Sequence, residues 1–560
     1  MVPRVELTRI TRRRPLWTRS NQFLLAGLVG VLTGAAVALF EWVVLDQGYE
    51  RLADAPLAVQ AAMPVFGLAL AAISLRYLGR GASPATSDEY IENFHRLGRR
   101  LDLRPVWARI VAGATTLGSG GALGFEGPSL YMGAAIGSGV QRRFAGKARG
   151  EDAKLLMVAG AAAGVAAIFK APATGAIFAL EVPYRDDNAR RMLLPTLLAS
   201  AAGYLTAAAF QGTTPLFSIE GTPPFDFREL GGALALGILC GIGARGFAIV
   251  IRASKRVAAR THVALRVVVA GAALAGLAVL SVQVYDQQLA LGSGYRVLDW
   301  VTEPSHSIAL IAGLLAVRVV ATATTVGGGG VGGLFIPLVI AGALTGDLLA
   351  TAVGDQTSLF PVIGVAAFLG AGYRTPLAGV MFIAETTGRP GFVVPGLIAS
   401  VASQLVMGDE SVSPYQEATR RGHLERRLQL PISASIDADV ITAPPDIDVA
   451  TFYRENLLLT RQREVPVVDG SRYVGVISIA EVQAIAPEEW SDHLVGEVAD
   501  REWPIASTDW TLEQAVRAME DHGTDIVIVL DGHDRFVGIV SMAAVVRLDE
   551  IIEASAPESE

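Results

Sequence analysis

From Phe23 to Met407 the chain is a succession of apolar runs, and no other feature restricts its fold as much. The first run, Phe23 to Leu45, exceeds the ~20 residues that span a bilayer. Others follow at about 58–78, 106–118, 153–169, 192–210, 230–252, 263–284, 306–323, 334–352, 358–372 and 391–407. Several are too short, or too interrupted by glycine and proline, to be simple spanning helices. In lipid the backbone must satisfy its own polar groups, so broken helices survive only where protein or a cavity surrounds them. The expected fold class is an all-α polytopic membrane domain with broken helices.

Composition agrees. The chain is 51% hydrophobic and 18% charged, with a mean hydropathy of +0.43 and 60 glycines. Small residues let helices pack closely in lipid. The net charge of −8 hides an asymmetry: from Pro431 onward there are 26 acids against 8 bases, and before it 28 against 38. Two physically different parts therefore meet near position 430. The bases of the first part flank apolar runs, as at cytoplasmic membrane edges, which argues against a nucleic-acid surface. Arg4, Arg9, Arg12, Arg13, Arg14 and Arg19 precede the first run, which lacks a small-residue cleavage site. Residues 1–21 are thus expected as a basic cytoplasmic segment before an uncleaved helix, with both termini on the cytoplasmic side of the cell's inner or plasma membrane. The single cysteine, Cys240, lies in an apolar run and reads as a small buried hydrophobe, with no disulfide framework or thiolate metal cluster. No cofactor or metal is expected.

The apolar part repeats itself. Gly124, Pro128, Gly133 and Gly137 recur at the same spacing as Gly333, Pro337, Gly342 and Gly346, an offset of 209. Pro172, Gly175, Phe178 and Glu181 recur as Pro376, Gly379, Phe382 and Glu385, an offset of 204. A domain over 22–425, with repeats at about 22–215 and 226–410, follows. Interrupted segments at matching places in two halves point to a transporter site, and inverted repeats are a common arrangement there.

After position 430 the pattern changes to strand, turn, strand at 465–470 and 473–478, and again at 526–529 and 536–541. Each copy has a helical stretch upstream (449–455 and 512–521) and a short helix after it. Two soluble βαββα-like modules are expected, at 432–490 and 494–555.

The segments Gly124-Phe125-Glu126-Gly127-Pro128 and Gly333-Leu334-Phe335-Ile336-Pro337 each lead into an apolar, glycine-spaced helix. Helix starts offer free N–H groups and a positive dipole end to an anion. Such binding is favourable yet weak enough to release, as conduction requires. Glu126 is the only acid or base between Arg109 and Arg142. A lone carboxylate there is a functional candidate by default. It competes with the anion for one place, so its protonation or displacement would open the path.

These segments, with Ala171-Pro172 and Gly175 in their order, resemble the CLC family of chloride channels and proton-coupled chloride antiporters. The tail resembles a tandem CBS pair. The resemblance implies a homodimer in lipid with one pore per subunit and many tilted or re-entrant helices. It assigns Glu126 as the gate, with Phe125 and Gly127 beside it in the anion-binding segment. Leu334 and Phe335 become amide donors to the central anion, and Tyr415 the hydroxyl donor at the inner end. Departures matter too. Phe125 stands where the family usually has arginine, removing a positive charge near the gate. The family's Gly-Ser-Gly-x-Pro segment reads Gly79-Arg80-Gly81-Ala82-Ser83-Pro84, so either Arg80 replaces the serine or Ser83 stands in for it. Val182 occupies the usual proton-relay glutamate position, which favours a passive chloride channel over the alternative, H+/Cl− exchange. In the tail, Glu481 and Ala544 sit where adenine-nucleotide-binding CBS modules carry a ribose-contacting aspartate, so that partner is unsupported. A divalent-cation transporter with CBS modules is a rival class, but it needs several oxygen ligands facing its path, and these helix starts offer one carboxylate. An enzyme is not expected, since the apolar part carries no Ser/His/Asp set, metal-spaced histidine pair or phosphate-cradling loop.

Overall fold

The computed structural model describes residues 19–96, 101–144, 153–189, 192–213, 227–303, 306–355, 357–418, 430–457 and 462–545. Arg4, Arg9, Arg12, Arg13 and Arg14 lie outside them. The chain divides into two compact units, 1–420 and 421–560.

The first unit is helical: α1 (Arg19–Glu41), α2 (Leu57–Ile73), α3 (Thr86–His95), α4 (Val106–Gly118), α5 (Glu126–Phe144), α6 (Leu155–Phe169), α7 (Pro172–Glu181) and α8 (Leu193–Gln211) form one half. The other holds α9 (Phe227–Arg260), α10 (Val263–Tyr285), α11 (Tyr295–Thr302), α12 (Ile308–Gly327), α13 (Phe335–Val353), α14 (Leu359–Tyr373), α15 (Pro376–Thr387) and α16 (Val393–Met407). Eight helices among the described residues are long and apolar enough to cross a membrane. Every apolar run of the sequence coincides with a helix. Two matching short helices start at proline, which lacks the N–H that a first turn leaves unpaired: Pro172 opens α7 and Pro376 opens α15.

The repeat is built into the packing. A Cβ on Gly133 would lie 2.0 Å from the Gly160 carbonyl, and one on Gly342 2.3 Å from that of Gly364. The same small-residue crossing thus joins α5 to α6 and α13 to α14, at contact distances only glycine allows. The outer helices share it: Gly30 and Gly34 meet Ala199 and Gly203, while Gly237 and Gly241 meet Ala399 and Ser403.

Contacts between the halves are reciprocal, which defines a local two-fold axis. Gly124 N–H donates to Gly333 O at 2.9 Å, and Gly333 N–H to Gly124 O at 2.8 Å. Thr325 Oγ1 accepts from Ala122 N–H at 3.1 Å, and Thr116 Oγ1 from Val331 N–H at 3.1 Å. Glu181 accepts from the N–H groups of Leu377 and Ala378 (3.2 and 2.9 Å), capping α15. Its counterpart Glu385 accepts from those of Ala173 and Thr174 (2.8 and 2.7 Å), capping α7. Each carboxylate meets the positive end of the opposite half's short helix. Glu181→Ala and Glu385→Ala should therefore each destabilise the protein by about 2 kcal/mol, the scale of a charge-assisted bond. Denaturant unfolding in detergent checks this, and a neutral result for either would contradict the cap.

In the second unit β1 (Glu464–Asp469) pairs antiparallel with β2 (Arg472–Ser478). A second sheet runs β3–β4–β5, with β3 (Ile505–Ser507) parallel to β4 (Ile526–Leu530) and β4 antiparallel to β5 (Phe536–Ser541). An amphipathic helix, Leu512–His522, covers β3 and β4 with Leu512, Ala515 and Met519. Ile432 packs in this second core, and Asp437 pairs with Ile539, so the segment after Pro431 belongs physically to the second module. The β4–β5 loop is closed by Asp531, which accepts from the N–H groups of His533 and Arg535 and from Arg535 Nε. The Arg535 side chain, then those backbone donors, hold this carboxyl down to about 2. Because the folded value is depressed, the stabilisation is present above the ordinary aspartate range and lost as pH falls through about 2. Asp531→Asn should speed amide exchange across 531–536 at pH 6 but make no difference at the acid end of that window.

Candidate functional site

The Gly124–Gly333 pairing places the starts of α5 and α13 face to face. Thr116 and Thr325 fix the two loops that lead there. Glu126 is the first residue of α5, 1% exposed, and its carboxylate crosses to the other helix. Oε1 accepts the Phe335 N–H at 2.5 Å, and the N–H groups of Ile336 and Glu126 itself also face the carboxylate. Oε2 is buried without a completed hydrogen bond among the described residues. One negative group thus sits where two helix dipoles present their positive ends.

Close approach explains the glycines. A Cβ on Gly124 would stand 1.8 Å from Glu126 Oε2, and one on Gly333 2.0 Å from Oε1 and 2.6 Å from the Gly127 nitrogen. A Cβ on Gly127 would meet Thr86 Oγ1 at 2.6 Å and Gly333 N at 2.8 Å. Beneath this point opens a cavity of 610 Å³, lined among others by Thr86, Ser87, Gly333, Leu334 and Tyr373. Two ion pairs stand at it: Lys255 to Asp88 at 2.7 Å, and Arg109 to Glu89 at 3.0 Å.

The structure brings Phe125, Glu126, Gly127, Leu334 and Phe335 together. Phe125 is buried with its ring edge-on to Phe40, whose centroid is 6.3 Å away. Ser83 and Tyr415 line the cavity at its exposed side; Tyr415 is 44% exposed, and the Ser83 hydroxyl accepts from Ala85 N–H at 3.2 Å. Arg80 is exposed in a left-handed conformation (φ 51°) and is not among the residues lining the cavity. Val182 follows the last residue of α7, buried, its carbonyl accepting from Gln416 Nε2 at 2.8 Å. Glu481, in the tail, accepts from Ser478 N–H at 2.7 Å within a capping box. Ala544 follows β5 in a short helical turn, its N–H donating to Ser541 Oγ at 3.1 Å.

Sequence reasoning missed Thr116, Thr325, Thr86 and Tyr373. The threonines carried a signal, since Thr115-Thr116 recurs as Thr324-Thr325 at the same offset of 209.

An α-helical membrane domain of two equivalent halves, meeting at helix starts around one buried carboxylate, is a transport protein and not an enzyme. The profile of the voltage gated chloride channel family matches residues 66–408, and that of the CBS domain residues 495–550. The chain therefore belongs to the CLC family of integral membrane anion transport proteins, with a C-terminal CBS region. It is 26% identical over 467 residues to the H(+)/Cl(−) exchange transporter ClcA of Vibrio campbellii, covering 77% of this chain and 96% of that one. A slow cyanobacterial Cl−/H+ antiporter shares the fold (TM-score 0.61, 22% identity, 69% of this chain and 94% of that one). So does a eukaryotic CLC transporter (TM-score 0.59, 16% identity, 93% and 97%).

Proposed function

We propose that this chain passes chloride or a similar small anion between the cavity and the far side of the membrane, through a path that the Glu126 carboxylate closes. The observation that carries this reading is the 2.5 Å bond from Phe335 N–H to Glu126 Oε1. The carboxylate holds the donor that an anion would need. Neutralising or moving the side chain frees that donor, so Glu126 is the gate. Leu334, Phe335 and the backbone about Phe125 and Gly127 supply partial positive charge, which holds an ion without trapping it.

The transport mode we favour is a gated passive channel. Val182, buried just after α7, is itself not titratable, and Glu181 beside it is committed to the start of α15. The second reading, H+/Cl− exchange, is favoured by the name of the Vibrio campbellii relative. Reversal potentials in reconstituted liposomes separate the two. A potential that follows the chloride gradient alone supports the channel, and a shift with an imposed pH gradient supports exchange. We further propose a homodimer in lipid with one path per subunit and both termini cytoplasmic. For the tail we favour a structural or docking role over adenine-nucleotide binding. Glu481 is spent on its own helix and Ala544 has no carboxylate.

A further inference from the structure

The first apolar half ends α6 at Phe169, followed by left-handed Lys170 and the start of α7 at Pro172. The second half repeats this at the 204 offset: α14 ends at Tyr373, followed by left-handed Arg374 and Pro376. Phe169 stacks on Phe335 with ring centroids 4.5 Å apart. Tyr373 instead meets Phe178 edge-on at 5.4 Å, while Gln416 Nε2 holds its carbonyl at 2.7 Å. A phenyl ring satisfies the fold in one half, so packing does not explain the hydroxyl in the other.

That hydroxyl has a specific position. Tyr373 is only 2% exposed, yet it lines the cavity below Glu126. Its oxygen lies within hydrogen-bonding reach of the Leu334 N–H and the Ser87 side chain. A second hydroxyl is independently unexplained. Thr86 is 1% exposed, lines the same cavity, and its Oγ1 has no hydrogen-bond partner among the described residues. Buried polar groups are normally paired, and an orphan calls for a reason.

We propose that Tyr373 Oη is a direct donor to the transported anion, forming with Leu334 N–H and Thr86 Oγ1 a coordination site one step inward of the Glu126 position. This rests on the reading of the path as an anion path. Leu334 N–H faces the phenol oxygen. When a halide or nitrate arrives from the cavity, Leu334 N–H turns to the ion, and the tyrosine and threonine hydroxyls donate to it. All three donors are neutral, so the ion is held and released. Asp88, at the cavity wall, is neutralised by Lys255. Tyr415 then serves the exposed mouth and Tyr373 the buried seat.

The test is chloride titration calorimetry on the full-length protein in detergent. Wild type, Tyr373→Phe, Thr86→Val and Tyr415→Phe are compared, with nitrate as a second probe. Tyr373→Phe removes one oxygen and keeps the ring. It should weaken chloride binding about ten-fold or more, the scale of a lost hydrogen bond to a charged group, and change the nitrate-to-chloride ratio. Tyr415→Phe should change affinity less than Tyr373→Phe does. Wild-type affinity in Tyr373→Phe, with the loss appearing in Tyr415→Phe, overturns the assignment. If wild type itself binds no halide, the anion path fails and not merely this residue. Should Tyr373→Phe not fold, bromide located by anomalous scattering in wild type decides. Bromide in contact with Tyr373 Oη supports the site, and bromide bound only beyond its reach refutes it.

Discussion

Replacing Glu126 by alanine should flatten the pH dependence of chloride flux and raise flux at neutral pH roughly ten-fold or more. On the proposed reading, anion and carboxylate compete for one set of N–H groups at the start of α13, where Glu126 Oε1 holds the Phe335 donor. A hydrogen bond to a charged acceptor contributes about 1.5–3 kcal/mol, so its removal shifts occupancy by a factor of about 10–100. Glutamine in the same place keeps the volume and loses the titration. It should also give a flat pH profile, at a flux between wild type and alanine. Flux assays in liposomes across pH 4.5–8 (roughly the span over which shifted carboxyls titrate) read both. A steep wild-type-like profile in both variants would remove Glu126 from the gate.

The two pathway glycines should give opposite results although each gains only a methyl group. At Gly124 the three atoms nearest the new carbon all belong to the Glu126 carboxylate, the end of a flexible side chain. Gly124→Ala is therefore expected to evict the gate and reproduce the flat profile of Glu126→Ala. At Gly333 the carbon would meet the carboxylate and also the Gly127 nitrogen at 2.6 Å, which is backbone. Gly333→Ala must push α5 from α13 and break the reciprocal pairing, and overpacking of that kind costs about 1–3 kcal/mol. Stability should fall by that amount, and flux should fall with it. Equal phenotypes from the two alanines would mean that the two glycines are not placed as described.

Much of this was legible in the sequence, for identifiable reasons. Apolar runs found the long helices because a bilayer leaves the backbone no other solution. The offsets of 209 and 204 revealed the halves because glycine and proline are set by contact geometry that both halves repeat. Thr86–His95 and Tyr295–Thr302 escaped, since one is rich in charge and both are short. Glu181 and Glu385 were visible as a matched pair, but what each caps lies some 200 residues away in the other half. No local pattern carries that. Tyr373 escaped because a tyrosine ending an apolar run reads as packing, and only its Phe169 counterpart and the cavity set its hydroxyl apart.

The central claim is that Glu126 occupies an anion's place between two helix starts. Crystals of Glu126→Ala soaked in bromide test it most directly, by anomalous scattering. The account predicts a bromide at the Phe335 N–H, in the space the carboxylate vacates. Bromide absent there while bound elsewhere along the chain would contradict it.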